Sequence, residues 1–186
     1  MRDNKGFSLV EIIVAIAIIG VVVGASTLTY SMVSRANVEK GMRSIESTMG
    51  KLQTECTSKS KPTYMYVYQD SSSSDYYIKV SKNLYTSVAS IISDAAEAEM
   101  IEANSVGMYY VTENAENGVS AGSHKIEGNT FIAITYNKSD SSVVGYVNGA
   151  KKVSTLMKLE AYGSKKVVTV DIAYETGKVM FESKNS

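Results

Sequence analysis

From Ile12 to Ser34 the chain carries no charged residue, a run of 23 positions. At ~1.5 Å of helical rise each, such a rod is about 35 Å long, enough for a hydrocarbon core of roughly 30 Å. A membrane-spanning helix is therefore the first expectation. Arg2 and Lys5 precede the run, so the positive-inside tendency places the N-terminus in the cytoplasm and the C-terminal domain outside. A secretory signal peptide would use the same parts, with Arg2 and Lys5 as its basic region and Ile12 to Ala25 as its apolar region. Glu11 argues against that reading. An acidic group costs about 2.5 to 3.5 kcal/mol at the centre of a membrane helix, less near an end, and an export signal gains nothing from it.

The helical pattern also continues past the point where a signal peptide would be cut. Val38, Met42, Ile45, Met49, Leu52 and Cys56 recur at intervals of 4, 3, 4, 3 and 4, which draws one apolar stripe along a helix. Glu39, Lys40, Arg43, Glu46, Lys51 and Glu55 fall on the other side, with Glu39 and Arg43 ordered for an i,i+4 pair. Lys59 and Lys61 suit the negative end of a helix dipole, and Pro62 cannot continue the hydrogen-bond ladder. One helix is expected from about Phe7 to about Ser60, apolar all round in its first half and amphipathic in its second. Within it Gly20 and Gly24 form a G-x-x-x-G pair that permits close approach of a second helix, although glycine is common in such segments anyway.

Beyond Pro62 the period changes to short alternating runs, so a globular domain is expected over 62–186. Tyr64, Tyr66 and Tyr68 share one side of a first strand, and Tyr76 to Val80 form a second after the Ser71 to Ser74 loop. Leu84, Val88, Ile91, Ile92 and Ala95 fit a shorter amphipathic helix over Asn83 to Ala103. Further strands are expected at Met108 to Val111, Phe131 to Tyr136, Val143 to Val147, Val153 to Leu159, Val167 to Tyr174 and Val179 to Phe181. Asn148-Gly149 and, more weakly, Thr176-Gly177 signal hairpins, hence an antiparallel sheet. The fold class is α+β: a long helix packed by its stripe against one face of a meander.

Chemistry is sparse. Lys and Arg number 19 against 19 Asp and Glu, so no net field recommends nucleic acid or an anionic surface. Cys56 is the one cysteine, which excludes an intrachain disulfide and leaves a buried free thiol or an intermolecular bridge. His124 is the one histidine and has no nucleophile or metal motif around it, which reads as a surface-loop residue rather than a catalytic one. Glu113, Asn114, Glu116 and Asn117 form either a solvated turn or an oxygen-rich loop for calcium, without EF-hand spacing. The 13 tyrosines suit either strand packing or an adhesive surface. Neither an enzyme nor a cofactor is expected.

The string KGFSLVEIIVAIAIIG, Lys5 to Gly20, resembles the N-terminal signature of the type IV pilin and type II pseudopilin superfamily. The matching elements are the basic residue before Gly6, Phe7 after it, Glu11 four residues further on, the apolar stretch, and Gly20 within the helix. The resemblance implies a leader over 1–6, cleavage by a prepilin peptidase between Gly6 and Phe7, and N-methylation of Phe7. It implies a membrane and filament-core helix over 7–34, its amphipathic continuation over 35–61, and a head over 62–186. Glu11 would neutralise the Phe7 amine of a neighbouring subunit, with Gly20 and Gly24 at helix contacts. The implied partners are further copies, other pilins, the peptidase, an inner-membrane platform protein and an assembly ATPase. The implied locations are the cell membrane for the precursor and the cell surface for the filament, with motility, adhesion, secretion and DNA uptake all open. Many relatives carry a proline in this helix and a disulfide in the head, and this chain has neither. A pseudopilin, or a signal-anchored monomeric binding domain, remains the alternative.

Overall fold

The computed structural model describes residues 8–59, 61–73, 75–101, 107–163 and 166–185, the side chains of 25–35 and of 185 excepted. Helix α1 covers Leu9–Ser58, 50 residues, with Ser8 as N-cap and Lys59 as C-cap. The expected limits at Phe7 and Ser60 lie outside the described residues. Lys59 is itself the C-cap, no basic residue occupies the last turn, and its ammonium sits 2.5 Å from the Glu55 carboxylate.

The predicted stripe is buried throughout, from Val38 to Cys56, with no residue above 3% exposure. Glu39 and Arg43 pair at 3.1 Å. Cys56 is a buried free thiol, its Sγ 3.3 Å from Thr63 O.

Among the described residues eleven strands follow. They are β1 (Tyr64–Gln69), β2 (Tyr76–Ser81), β3 (Ala98–Ile101), β4 (Gly107–Thr112), β5 (Gly122–Lys125) and β6 (Ile132–Tyr136). Then come β7 (Val143–Val147), β8 (Lys151–Val153), β9 (Leu156–Gly163), β10 (Lys166–Ala173) and β11 (Lys178–Asn185). They build two antiparallel sheets rather than the single meander expected, in the orders β3-β2-β1-β6-β7-β8 and β11-β10-β9-β4-β5. The division falls inside the run read as one strand from Val153 to Leu159. Val153 ends β8 in the first sheet, and Leu156 opens β9 in the second. Between them Ser154 is held by Glu116, which accepts from its N–H at 2.7 Å and from its hydroxyl at 2.6 Å. Thr155 O meanwhile accepts from Glu113 N at 2.9 Å. The corner is fixed by the loop after β4, a contact no local pattern announces.

The second helix is also corrected. Helix α2 covers only Val88–Ser93, capped by Ser87, and the remainder of the predicted segment contributes β3, paired with β2 from Ala98↔Lys79 to Ile101↔Tyr76. The buried Lys79 ammonium accounts for the stop: it donates to Ile91 O at 2.6 Å and Asp94 O at 2.7 Å. Those carbonyls would otherwise accept from the next helical turn. Of the predicted apolar face only Val88 and Ile91 are buried.

Alternation along β1 explains how one sheet serves two cores. Met65 and Val67 face the main core with the α1 stripe, whereas Tyr66 and Tyr68 face a second cluster with Val88 and Ile91 of α2. Both hairpin signals hold. Asn148 and Gly149 have φ of 52° and 67°, as a primed turn demands, and Gly177 at φ 71° closes β10 to β11.

Helix α1 contacts the edge strands of both sheets. Ser44 Oγ donates to Glu99 of β3 at 2.6 Å, and the Arg43 guanidinium lies 4.1 Å from the Phe181 ring centroid of β11. Gly41 meets Ile101 so closely that a Cβ there would sit 2.2 Å from Ile101 Cγ2.

Candidate functional site

The helix start is built by a capping box. Ser8 is extended, at φ −73° and ψ 151°, and its Oγ accepts from Glu11 N at 3.3 Å. Glu11 Oε2 reciprocates by accepting from Ser8 N at 2.8 Å, so two otherwise orphaned amides are satisfied. Sequence reasoning passed over Ser8, although the S-x-x-E spacing ahead of an apolar run announces it. Gly6 and Phe7, the proposed cleavage pair, lie outside the described residues.

From Leu9 to Val23 the apolar side chains find no cover among the described residues. Leu9, Val10, Ile12, Ile13, Val14, Ile16, Ile18, Ile19 and Val21 to Val23 are each 50–76% exposed, on every side of the helix. A Cβ added at Gly20 or Gly24 would meet nothing within 4 Å. Gly20 follows Glu11 by nine residues, about two and a half turns. The carboxylate and the first glycine therefore occupy opposite faces. Among the described residues no helix is long and apolar enough to cross a membrane. The described apolar side chains, Leu9 to Gly24, cover 16 residues, about 24 Å against the roughly 30 Å required.

In the head the remaining candidates hold one another. His124 stands in edge strand β5, not in a loop, with its Nε2 2.7 Å from Ser120 O and its ring stacked 5.0 Å from that of Tyr110. The Glu113 to Asn117 run works as a clasp. Glu116 holds Ser154, whose hydroxyl and amide keep its carboxyl below the usual range. Asn117 Nδ2 donates to Lys152 O at 2.7 Å, and Glu113 accepts from Tyr174 OH at 2.5 Å. A cavity of about 510 Å³ on the outer face of the second sheet includes Met157, Lys158, Asp171, Tyr174 and Met180. Lys158 is taken by Glu160 at 2.8 Å and Tyr174 by Glu113. Burial raises the phenol of Tyr66 to about 12, and Tyr68, Tyr76, Tyr110 and Tyr136 are also buried. Strand packing thus occupies those rings.

Residues 1–27 match the family model described as the prokaryotic N-terminal methylation motif. The chain therefore carries the prepilin signal of type IV pilins and pseudopilins, on a helix-led α+β fold with antiparallel sheets. No curated protein and no solved structure matches it.

Proposed function

We propose that this chain is a structural subunit of a type IV pilus, made as a single-pass membrane precursor and polymerised outside the cell. One observation carries the reading: a continuous helix whose stripe from Val38 to Cys56 is buried in the head, while its described apolar side chains from Leu9 to Val23 stand 50–76% exposed on all sides. A lone soluble domain gains nothing from such a rod, since large contiguous apolar patches mark interaction surfaces. Lipid before assembly and identical helices after it are the two environments that would cover the rod.

The uncharged run Ile12 to Ser34 is long enough for the membrane stage. A prepilin peptidase cuts between Gly6 and Phe7, and Phe7 receives a methyl group on its new amine. Glu11 pairs with the Phe7 amine of an adjacent copy, a buried charge that fixes register. Gly20 and Gly24 admit close helix neighbours. A platform protein and an assembly ATPase drive extraction, and the subunit itself performs no covalent chemistry and binds no cofactor. A pseudopilin shares every N-terminal step and differs in building a short assembly.

Intact-mass analysis of material sheared from cells, with the residual membrane fraction beside it, tests this. A chain starting at methylated Phe7 in long sheared filaments is the expected result. Mature chain confined to the membrane fraction would point to the pseudopilin, and monomers retaining Met1 would sink both.

A further inference from the structure

We infer that the cavity on the outer face of the second sheet receives the Lys51 side chain of a second copy, an inference that rests on the filament reading above. Strand register builds the cavity. Asp171 of β10 stands opposite Lys158 of β9 and Met180 of β11, so these residues form one row across the sheet. Val170 and Ile172, on either side of Asp171, turn into the core that the α1 stripe fills, and the row therefore faces away from the chain's own helix. Met180 is 60% and Met157 39% exposed, and with Ala173 they give the cavity an apolar wall. Its volume, about 510 Å³, suits a ligand-sized group.

Charge in the cavity is unequal. Glu113, Asp171 and Glu175 stand against Lys158 and Lys178, and Lys158 is already bonded to Glu160 at 2.8 Å. Lys158 feels the Asp171 charge as well, yet the Asp171 and Glu175 carboxylates accept no hydrogen bond and form no salt bridge among the described residues. An apolar wall beside carboxylates fits a methylene stem that ends in an ammonium, the build of a lysine side chain.

Helix α1 presents such a side chain to solvent. Lys51 is exposed and forms no ion pair among the described residues, and the exposed residues around it, Ser47, Gly50 and Thr54, are short. Another surface can thus approach the helix with the lysine projecting towards it. Lys40, also exposed on α1, shares its clefts with Glu39 and Glu99 of its own chain. The cavity is acidic and the projecting group basic, a complementarity that orients the encounter of two copies. Because the helix of one copy meets the sheet of the next, the contact joins two different surfaces and can propagate along a filament instead of closing a pair.

The test uses filaments sheared from cells that make the full chain. Lys51→Cys and Asp171→Cys in one chain, treated with a short bis-maleimide, are expected to give a ladder of linked copies, since Cys56 is buried. Either substitution alone, and Lys40→Cys with Asp171→Cys, are expected to give no ladder. Lys51→Glu and Asp171→Lys should each lower filament yield about fivefold, the factor a reversed ion pair represents, and the two together should restore most of it.

A ladder from the Lys40→Cys pair alone, or a double reversal no better than the single ones, overturns the inference. Filaments in which Lys51→Cys and Asp171→Cys stay unlinked defeat it too, and leave the filament reading standing. A wild-type chain that forms no filament defeats both readings, so the two failures are told apart.

Discussion

At Gly41 two preferences oppose each other. Alanine is favoured over glycine in a helix interior by about 1 kcal/mol, yet a Cβ here would fall 2.2 Å from Ile101 Cγ2. Overpacking costs about 1–3 kcal/mol, and with so short a distance the clash wins. Gly41→Ala is expected to destabilise the head by about 1–2 kcal/mol, read by denaturant unfolding of the full chain in detergent. Gly50, with nothing within 4 Å of its added Cβ, supplies the control: Gly50→Ala should stabilise by up to about 1 kcal/mol. Equal shifts in the two variants would discard the argument. Two residues earlier, the Glu39 carboxyl is held below the ordinary glutamate range, first by its hydrogen bond from Lys166 and then by Arg43. A depressed folded value means that the stabilisation is complete above the ordinary range and is lost as pH falls through the depressed value. In Lys166→Met the carboxyl titration should move up towards the ordinary range and the acid-side loss of stability should shrink, with carbon NMR of the carboxyl as the measure.

Elements show where sequence reading succeeds and where it stops. The α1 stripe was legible because a helix fixes its buried face by spacing alone, and Val38 to Cys56 are all in the core. The hairpin at Asn148-Gly149 was legible because positive φ is a residue property. The segment after Asn83 was not, since Lys79, a residue of another strand, captures Ile91 O and Asp94 O and so ends α2. Replacing that amine tests the account. Lys79→Met leaves Asp94 O without its Lys79 donor and Ile91 O with the Asp94 amide at 3.4 Å in place of the shorter ammonium bond, at about 1–3 kcal/mol, and α2 should lose amide-exchange protection before the strands beneath it do. Uniform loss of protection across the head would contradict a local capping role. Strand β5 was missed for a different reason: its sequence, GSHK, has no apolar alternation, and only its pairing with β4 makes it a strand. In the candidate site, Glu11 and the glycine pair stood out by type and spacing. Ser8 was equally readable through its S-x-x-E pattern ahead of an apolar run.

At the scale of the molecule, the α1 rod divides between a head that buries its second half and a first half with opposed features. Glu11 and Gly20 lie on opposite faces, so a single neighbouring helix cannot engage both. A two-fold dimer has one self-complementary contact, whereas distinct contacts on two faces propagate as an open helical polymer. Under the proposed function, Gly20→Leu and Glu11→Ala should each lower filament yield while leaving the unfolding midpoint of the head unchanged, because neither residue contacts the head. Wild-type yield from Glu11→Ala would remove the charge pairing. A lowered head midpoint in Gly20→Leu would show that the rod is coupled to the domain it leads.

Taken alone, the order of residues determined the rod, the stripe that docks it, the hairpins and the character of the N-terminal signal. All of these are periodic or local, written in side chains a few positions apart. Tertiary structure alone decided that Ala98–Ile101 is a strand, that the run after Lys151 breaks between two sheets, and that Gly41 must be small. Each of those outcomes depends on which distant backbone or ammonium reaches a group first, and no local pattern encodes that competition.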